Sequence, residues 1–313
     1  MTIRLHLLPE FDELCTVTSR YRHLPEQAIR RDYFIVMALG KLSTSIMNPY
    51  CILKGGTSLS KCHPGSIERF SEDIDLVYQP KSRESHRAFE RNLQTIEKIM
   101  SDGMSIEPIA GERSAVNKSA YIWYDEHRED RIKLEIGSAI RAEPRNLQPI
   151  QSYIQDFLVD QGHLDDIRRF ELRSYEIQCL DITRTYIEKL LAIKQHAYDG
   201  SLARHVRHIH DVVMLTHHEN IVRLLNDLQN LKAIVSIAKQ DATSYLENRS
   251  IPIGYASTAP YEFRFWETML SRDVREQYES LHKSLLYTDQ KPSLDDAIDV
   301  LRSIDDILTR IGE

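Results

Sequence analysis

The chain has 313 residues, of which 42% are hydrophobic and 28% charged, and its formal net charge at pH 7 is −7. This length and apolar content indicate a globular protein with room for two domains of ordinary size, each with its own core. The negative balance argues against unspecific attraction to nucleic acid, which depends on the number of phosphates that Lys and Arg neutralise.

No apolar run approaches the ~18–20 residues that cross a bilayer, and the first ten residues lack the longer apolar core of a secretion signal. The cysteines are scattered and form no C-x-x-C pair, which favours reduced thiols over a disulfide framework or a zinc site. We therefore expect a cytoplasmic protein that does not bind a membrane. The cysteines are Cys15, Cys51, Cys62 and Cys179.

The first half of the chain alternates helical and strand-like patterns. Two long segments have helical periodicity, one from Glu26 to Ser45 and the other from Arg83 to Ser101. Short runs with β-type patterning, bounded by Gly, Asn or charged clusters, separate and follow these helices. The expected strands are 50–54, 73–79, 104–109, 120–125 and 131–137.

The second half of the chain is helical by pattern, and Asp181 is expected to cap the first of its helices. The change of pattern predicts an α/β mixed-sheet domain at 1–178 followed by a C-terminal helical-bundle domain at 179–313. The strand-like segment from Ser174 to Leu180 could belong to either side. The expected helices are 181–198, 203–216, 219–246, 261–284 and 293–311.

A glycine turn, Gly55-Gly56, lies between the first expected strand and a short helix. Because glycine has no side chain, main-chain N–H groups of the turn can approach an anion, and the helix N-terminus adds partial positive charge. Either Thr57 or Ser58 is expected to be the N-cap of this helix, and the Ser58 hydroxyl can donate to a phosphate oxygen. The turn is a candidate phosphate site, although an ordinary strand-turn-helix corner has the same pattern.

Two acids follow on the next strand, in the segment Asp73-Ile-Asp-Leu-Val-Tyr78. Because side chains alternate along a strand, Asp73 and Asp75 emerge on one face, ~6–7 Å apart. Two carboxylates at that separation repel by roughly 2–3 kcal/mol at an effective dielectric of about 20, a cost that a bridging divalent cation would reverse. Oxygen ligands favour Mg²⁺ or Mn²⁺. The close succession of the glycine turn and the acid pair indicates nucleotidyl transfer.

These residues also carry a resemblance to a known family. The runs Leu53-Lys-Gly-Gly-Thr-Ser-Leu-Ser-Lys61 and Ile67-Glu-Arg-Phe-Ser-Glu-Asp-Ile-Asp-Leu76 closely resemble the AbiEii/AbiGii abortive-infection toxins, a branch of the polymerase-beta-like nucleotidyltransferase superfamily. The resemblance implies a nucleotidyltransferase α/β domain and a helical domain that contributes to its cleft. The likeness continues, in the family's order, through Ile29–Tyr33, Ile132–Ile136, Ile187–Ala192 and Arg204–Val212.

The resemblance implies roles for residues of the helical half. Lys189 would contact the triphosphate of the incoming nucleotide, and Asp211 would orient Lys189, position the acceptor or help to remove its proton. Ordinary surface charge for Lys189 and a helix–helix salt bridge for Asp211 stay open. Arg207 matches the family's block and would bind the nucleotide. Ile209 and His210 stand where the family often carries aromatic residues, so a stacking role there is in doubt.

Nucleotidyltransferases of this superfamily use a later strand to bring another acid beside the Asp pair, and Glu135 is the candidate for this third metal ligand. The longer Glu side chain can coordinate less directly than Asp. Lys133, on the same face of the strand, could instead form an ion pair with Glu135. The sequence leaves both interpretations open.

The predicted function is magnesium-dependent transfer of a nucleoside monophosphate from an NTP to an RNA hydroxyl. Asp73 and Asp75 would hold the metal ions, and the glycine turn with Thr57 and Ser58 would hold the nucleotide phosphates. The resemblance implies a growth-inhibiting toxin of a toxin–antitoxin or abortive-infection system. Relatives in the broader group act on tRNA acceptor ends, so tRNA is the first candidate acceptor, and a cognate antitoxin is a candidate partner.

Three alternatives stay open. The acceptor could be a protein hydroxyl, as in AMPylation-type nucleotidylation. The segment Arg204–His210 also fits the loose Arg-x-x-x-x-x-His pattern of helical ribonucleases that need no metal. The third alternative is a non-catalytic module that binds nucleotide without turnover.

The histidines between His196 and His218 have no spacing that indicates a zinc site.

Overall fold

The computed structural model describes residues 4–80, 82, 84–125, 127–137, 140–246, 251–284, 286, 288 and 291–312. Its chain separates into two compact units, and the boundary predicted between residues 178 and 179 stays a prediction. Unit 1 consists of Met1–Cys62, Phe70–Ser138 and Arg145–Leu180, and unit 2 of His63–Arg69, Ala139–Pro144 and Asp181–Glu313.

A mixed sheet forms the centre of unit 1, which confirms the predicted fold class. Its strands are β1 (Cys51–Lys54), β2 (Asp73–Tyr78), β3 (Ser105–Pro108), β4 (Asn117–Trp123), β5 (Arg131–Gly137), β6 (Arg145–Ile150) and β7 (Tyr175–Leu180). They lie in the order β3-β4-β5-β2-β1-β7-β6. β2 pairs with β1 in antiparallel and with β5 in parallel orientation, so that β2 is a central strand.

The sheet has an apolar face and a polar face because its side chains alternate. On β5, Ile132, Leu134 and Ile136 are fully buried, whereas the residues between them are at least partly exposed. The helices of unit 1 are α1 (Glu10–Arg22), α2 (Glu26–Ser43), α3 (Gly55–Cys62), α4 (His86–Met100), α5 (Tyr153–Asp160) and α6 (Leu164–Arg169).

Helix α2 is amphipathic, and its apolar positions recur with the helical period. Ile29, Val36 and Leu39 are buried along one side, in a spacing that the 3.6-residue period brings together. A buried acid interrupts this side, because Asp32 accepts hydrogen bonds from Lys61 Nζ at 2.5 Å and from the main-chain N–H of Tyr153 at 2.7 Å. The first contact connects α2 to the C-terminal end of α3, the helix that follows the glycine turn, and the second connects α2 to the start of α5.

Unit 2 is helical, as predicted, and Asp181 caps its first long helix by accepting from the main-chain N–H of Thr183 at 2.9 Å. Fully buried apolar side chains on neighbouring helices, such as Ile187 and Ile209, build its core. The helices are α7 (Ile182–Tyr198), α8 (Arg207–Thr216), α9 (Glu219–Asn226), α10 (Leu228–Leu246), α11 (Phe263–Trp266), α12 (Arg272–Ser284) and α13 (Leu294–Arg310).

Several predicted boundaries are corrected. The single helix predicted at 219–246 is two helices, because Asp227 ends α9 and its side chain accepts from the main-chain N–H of Asn230 at the start of α10. The helix predicted at 261–284 is likewise interrupted before Arg272. Residue 83, the predicted start of the second long helix, lies outside the described residues, and that helix begins at His86.

In the part of the chain that is described, none of the helices combines the length and the apolar character that a membrane span requires.

Candidate active site

The glycine turn leads directly into a helix. β1 ends at Lys54 and α3 begins at Gly55, so the predicted N-cap at Thr57 or Ser58 is wrong, and both residues lie inside the first turn. Gly55 has a φ angle of +74°, in the left-handed region that favours glycine. Because the first N–H groups of a helix have no carbonyl partner one turn earlier, the start of α3 is suited to an anion.

The two hydroxyl groups of this turn are buried and used internally. Thr57 Oγ1 donates to the main-chain carbonyl of Asp73 and lies 3.0 Å from Ser71 Oγ. Ser58 Oγ donates to the carbonyl of Gly55 at 2.9 Å. The Thr57 bond ties α3 to the first residue of β2. Binding of phosphate by either hydroxyl stays a prediction.

The acid pair lies on the more open face of β2. Asp73 and Asp75 are partly exposed, whereas Ile74 and Leu76 are 0% and 2% exposed. This is the alternation expected for a strand, and it puts both carboxylates on one face. Each aspartate takes part in further interactions within the fold.

Asp75 is packed against the glycine turn. In the antiparallel pairing of β1 and β2, Lys54 lies opposite Asp75, which brings the end of β1 beside the acid. A Cβ atom on Gly55 would overlap the Oδ2 atom of Asp75 and lie 3.2 Å from its Cγ atom. The acid and the candidate phosphate turn therefore meet at one place in unit 1.

Glu135 lies beside the acid pair. The parallel pairing of β2 and β5 sets Asp75 directly opposite Glu135, and Asp73 opposite Lys133. The Lys133 ammonium also lies 2.5 Å from Glu135 Oε1 and 2.9 Å from Glu112 Oε2. Both interpretations of the sequence thus have a geometric basis, since Glu135 is next to Asp75 and is also paired with Lys133.

The charge on Lys133 is stabilised by this pairing. Partial burial acts to lower the pKa of Lys133, but hydrogen bonds to Glu135 and Glu112 raise it above its ordinary value. Lys133 is therefore a cation at neutral pH. It offsets part of the negative charge of the neighbouring carboxylates.

Among the described residues, no three His, Cys, Asp or Glu side chains are grouped so that they could hold a metal ion by themselves. The donor chemistry nevertheless suits magnesium, which is usually held by one or two carboxylates together with water and substrate phosphates. Asp73 and Asp75 offer such carboxylates on one face of β2. A role of Glu135 as metal ligand stays a prediction.

A second charged group lies inside unit 2, around Asp211 of α8. Its carboxylate is fully buried and binds Arg69 through two hydrogen bonds, Nε to Oδ1 at 2.6 Å and Nη2 to Oδ2 at 2.7 Å. Lys189 Nζ of α7 lies 2.7 Å from the same Oδ2 atom. The Lys189 side chain is only 6% exposed, so it is not an ordinary surface charge.

The electrostatics of this cluster constrain the role of Asp211. Burial acts to raise the pKa of Asp211, but the charges of Arg69 and Lys189 hold it well below its ordinary value. A carboxylate with so low a pKa is a weak general base, because efficient bases titrate near the working pH. The Lys189–Asp211 contact joins α7 to α8, which is the helix–helix salt bridge considered for Asp211, and its role in orienting Lys189 for catalysis stays a prediction.

His208 lies next to Lys189, with its Nδ1 atom 3.5 Å from Lys189 Nζ. Burial, and then the charge of Lys189, lower the pKa of His208 well below its ordinary value, so the ring is neutral at pH 7. His196 and His205 stack with ring centroids 3.7 Å apart. The histidines between His196 and His218, whose spacing does not indicate a zinc site, thus include rings that pack on one another.

Arg207 is the first residue of α8, and it is partly exposed. It takes part in other interactions of the fold, and its nucleotide-binding role stays a prediction. His210 Nε2 is 2.9 Å from the main-chain carbonyl of Ile67, which joins α8 to the segment that carries Arg69.

Arg69 is the functional candidate that sequence reasoning missed. The only signal for Arg69 in the sequence was its position within the family-like run Ile67–Leu76. Its partner Asp211 is 142 residues away in the chain, so the sequence did not indicate their pairing. The structure thus brings together Asp75, Gly55 and Glu135 in unit 1, and Arg69 with Lys189 and Asp211 in unit 2.

Comparisons with known proteins give one family. The model of the family described as nucleotidyl transferase AbiEii toxin, type IV TA system, matches residues 38–300. Among solved structures, the chain is similar to MenT4, a nucleotidyltransferase toxin from Mycobacterium tuberculosis H37Rv, with 16% identity over 95% of this chain and 98% of that chain and a TM-score of 0.49. A proposed nucleotidyltransferase from H. pylori is 16% identical over 83% of this chain and 98% of that one, with a TM-score of 0.39. A comparison with curated proteins found no match.

Proposed function

Because the chain belongs to the AbiEii family of nucleotidyltransferase toxins of type IV toxin–antitoxin systems, we propose that it transfers a nucleoside monophosphate from an NTP to an RNA hydroxyl, with Mg²⁺ or Mn²⁺ as cofactor. The first candidate acceptor is tRNA. The observation that carries this proposal is the packing of the Asp75 carboxylate against the glycine turn at the start of α3. A metal-bound triphosphate needs a carboxylate and an anion site side by side, and the contact of Asp75 with the start of α3 supports such a place here.

In the proposed reaction, the acceptor hydroxyl gives up its proton to solvent water and its oxygen bonds to the α-phosphorus of the NTP, while the bond from that phosphorus to pyrophosphate breaks. Asp73 and Asp75 would hold the metal, which when bound lowers the pKa of the acceptor hydroxyl and offsets negative charge on the phosphates. Main-chain N–H groups at Gly55 and Gly56 would bind the phosphates.

Lys189 would neutralise charge on the leaving pyrophosphate. Asp211 would act as a positioning residue, since its carboxylate holds Lys189 Nζ at 2.7 Å. Arg69 would share this role because it fixes both oxygens of Asp211. We also propose a cognate antitoxin as the protein partner, as the type IV classification implies.

A labelling experiment tests this function. The purified protein is incubated with each α-labelled NTP, Mg²⁺, and either total RNA or cell lysate. We expect label in RNA with at least one NTP, and we expect EDTA to abolish it. Label in protein would instead support the AMPylation-type alternative, and RNA cleavage that survives EDTA would support a metal-independent ribonuclease. Absence of label transfer in every combination would count against the transferase.

Replacing Gly55 with Ala is expected to lower transfer by about 100-fold, since a displacement of about 1 Å at a reacting group has effects of that order. The added Cβ would push the Asp75 carboxylate out of place. The matched control is Gly111→Ala, because Gly111 also has positive φ, at +82°, but has no atom within 4 Å of the added Cβ. Both substitutions put alanine at a positive φ angle, so both variants carry backbone strain. Only Gly55→Ala should lower transfer by more than its loss of stability explains. Equal activity of the two would contradict the proposed site.

Replacing Glu135 with Gln is expected to lower transfer by about 100-fold and to raise the Mg²⁺ concentration that gives half-maximal rate, if its carboxylate joins Asp73 and Asp75 at the metal. The control is Lys133→Met, which removes the competing ion pair but keeps the carboxylate. Transfer rates are measured over a series of Mg²⁺ concentrations. Near-normal turnover of the Gln variant with normal Mg²⁺ dependence would rule out this role of Glu135.

A further inference from the structure

A surface of two aromatic rings and an arginine lies on the sheet face that carries the aspartate pair. Directly opposed residues of neighbouring strands share a face, and the pairing joins Asp73 to Lys133 and Lys133 to Tyr121. The next row of the same face joins Arg131 to Trp123. Because neighbouring strands are about 4.8 Å apart, Tyr121 lies ~10 Å from Asp73 across the sheet.

We refer to Tyr121, Trp123 and Arg131 as the aromatic strip. The guanidinium carbon of Arg131 is 3.5 Å from the ring centroid of Tyr121 and 5.0 Å from that of Trp123. Both rings are partly exposed, and Arg131 is exposed. Trp123 Nε1 donates to Glu107 Oε2 at 2.9 Å, which orients the indole. The strip thus presents planar groups to solvent beside the acid pair.

The charges around the strip are nearly balanced. Glu107 lies 3.7 Å from Arg128, whose guanidinium is 5.8 Å from the Trp123 ring. Lys133 is paired with Glu112 and Glu135. Such a surface lacks the excess of cations with which proteins hold a duplex backbone. It suits unpaired bases, which stack on aromatic rings and on guanidinium planes.

We propose that the aromatic strip binds the unpaired 3′-terminal bases of the acceptor RNA and directs the terminal hydroxyl toward Asp73 and Asp75. This inference rests on the proposed function, and it adds the residues that would hold the 3′ end of the acceptor RNA. A series of stacked bases matches a row of flat side chains, whereas a protein acceptor has no comparable series of rings.

Binding of two labelled RNA hairpins, without NTP, tests the proposal. One hairpin has a short unpaired 3′ tail, and the other has the same stem with a blunt end. The double variant Tyr121→Ala and Trp123→Ala is expected to bind the tailed hairpin at least about tenfold more weakly, because each base–aromatic stack contributes strongly to affinity. Affinity for the blunt hairpin should not change. Phe at both positions should preserve binding of the tail, since Phe retains the stacking ring.

The matched control is Tyr21→Ala. Tyr21 is also an exposed aromatic residue of unit 1 next to an arginine, with the Arg22 guanidinium carbon 5.9 Å from its ring, but it lies on α1 and outside the strip. Its loss should leave both affinities unchanged. Thermal unfolding of each variant shows whether the protein is folded. If the double Ala variant does not fold, binding of the tailed hairpin by the Phe variants is compared with that of the wild type instead.

Tryptophan fluorescence gives an independent readout. The chain has two tryptophans, and Trp266 is fully buried in unit 2. The tailed hairpin is expected to quench the emission of the wild-type protein by stacking on Trp123, and Trp123→Phe should remove this quenching without loss of binding. The blunt hairpin should cause no quenching in either protein.

The proposal is overturned if the double Ala variant binds the tailed hairpin within about twofold of wild type, or if it loses affinity for both hairpins equally. Failure of the strip and failure of the transferase are distinguishable. Transfer to RNA with an unchanged KM for RNA in the double variant would rule out the RNA-binding role of the strip and leave the transferase standing. Ring-dependent binding of the tail with no transfer from any NTP would rule out the transferase alone.

Discussion

Replacing Asp75 with Asn is expected to lower the kcat of nucleotidyl transfer by on the order of 10³-fold, because a charged metal ligand is lost while the shape of the side chain is kept. Asp75 is the acid packed against the glycine turn, so its carboxylate is the one that meets both the candidate metal and the candidate phosphate site. The effect is measured as transfer of label to RNA in single-turnover conditions.

The fold should tolerate this change. Removing one of two neighbouring carboxylates relieves their repulsion, which offsets stability lost with the other interactions of Asp75. Asp12→Asn is the control for loss of one negative charge, because Asp12 is an acid of unit 1 whose side chain is 76% exposed and paired with Arg30. That control should transfer label at the wild-type rate. If the Asp75→Asn variant retained transfer within about tenfold of wild type, the basis of the proposed site would be removed.

The second large effect is expected from Asp211→Asn, which should lower the free energy of unfolding by about 3–5 kcal/mol. The substitution removes the carboxylate charge that the buried Arg69 and Lys189 share, and removing one partner of a buried ion pair has costs of this size. Denaturant titration measures the change. Transfer should also fall at a temperature where the variant remains folded, because Lys189 loses the carboxylate that holds its ammonium group.

Asp241→Asn separates the two effects. Asp241 is another buried acid of unit 2, and its Oδ2 atom lies 2.7 Å from Arg184 Nη2. Arg184 also pairs with Glu188, so this variant should lose less stability than Asp211→Asn, and it should retain the wild-type kcat when folded. Equal loss of kcat in both variants would mean that Asp211 acts through the stability of unit 2 and not through Lys189.

Local patterns predicted much of the fold. The alternation Asp73-Ile-Asp-Leu predicted a strand with two acids on one face, and Asp181 was correctly expected to cap a helix. Both features depend on backbone geometry over a few residues. Two elements, β6 and α1, were not predicted because their local signals are weak. β6 contains Pro149 and lies at an edge of the sheet, and α1 buries only Phe11, Cys15 and Thr18.

The surroundings of Glu135 depend on the register of the sheet. Glu135 was a candidate from the sequence, but its place opposite Asp75 and its ion pair with Lys133 depend on how β5 pairs with β2. The pairing of β4 with β5 then aligns Tyr121 and Trp123 with the aspartate face. A shift of one residue would have turned these side chains to the other face of the sheet.

By itself, the sequence determined the acid pair, the glycine turn and the family, because each is written in neighbouring residues. Only the tertiary structure decided that Arg69 and Lys189 share Asp211, and that Gly55 has no room for a side chain beside Asp75. The physical reason is the range of the interactions: strand alternation and capping act within a few residues, whereas a buried ion pair between residues 142 positions apart exists only once the chain has packed.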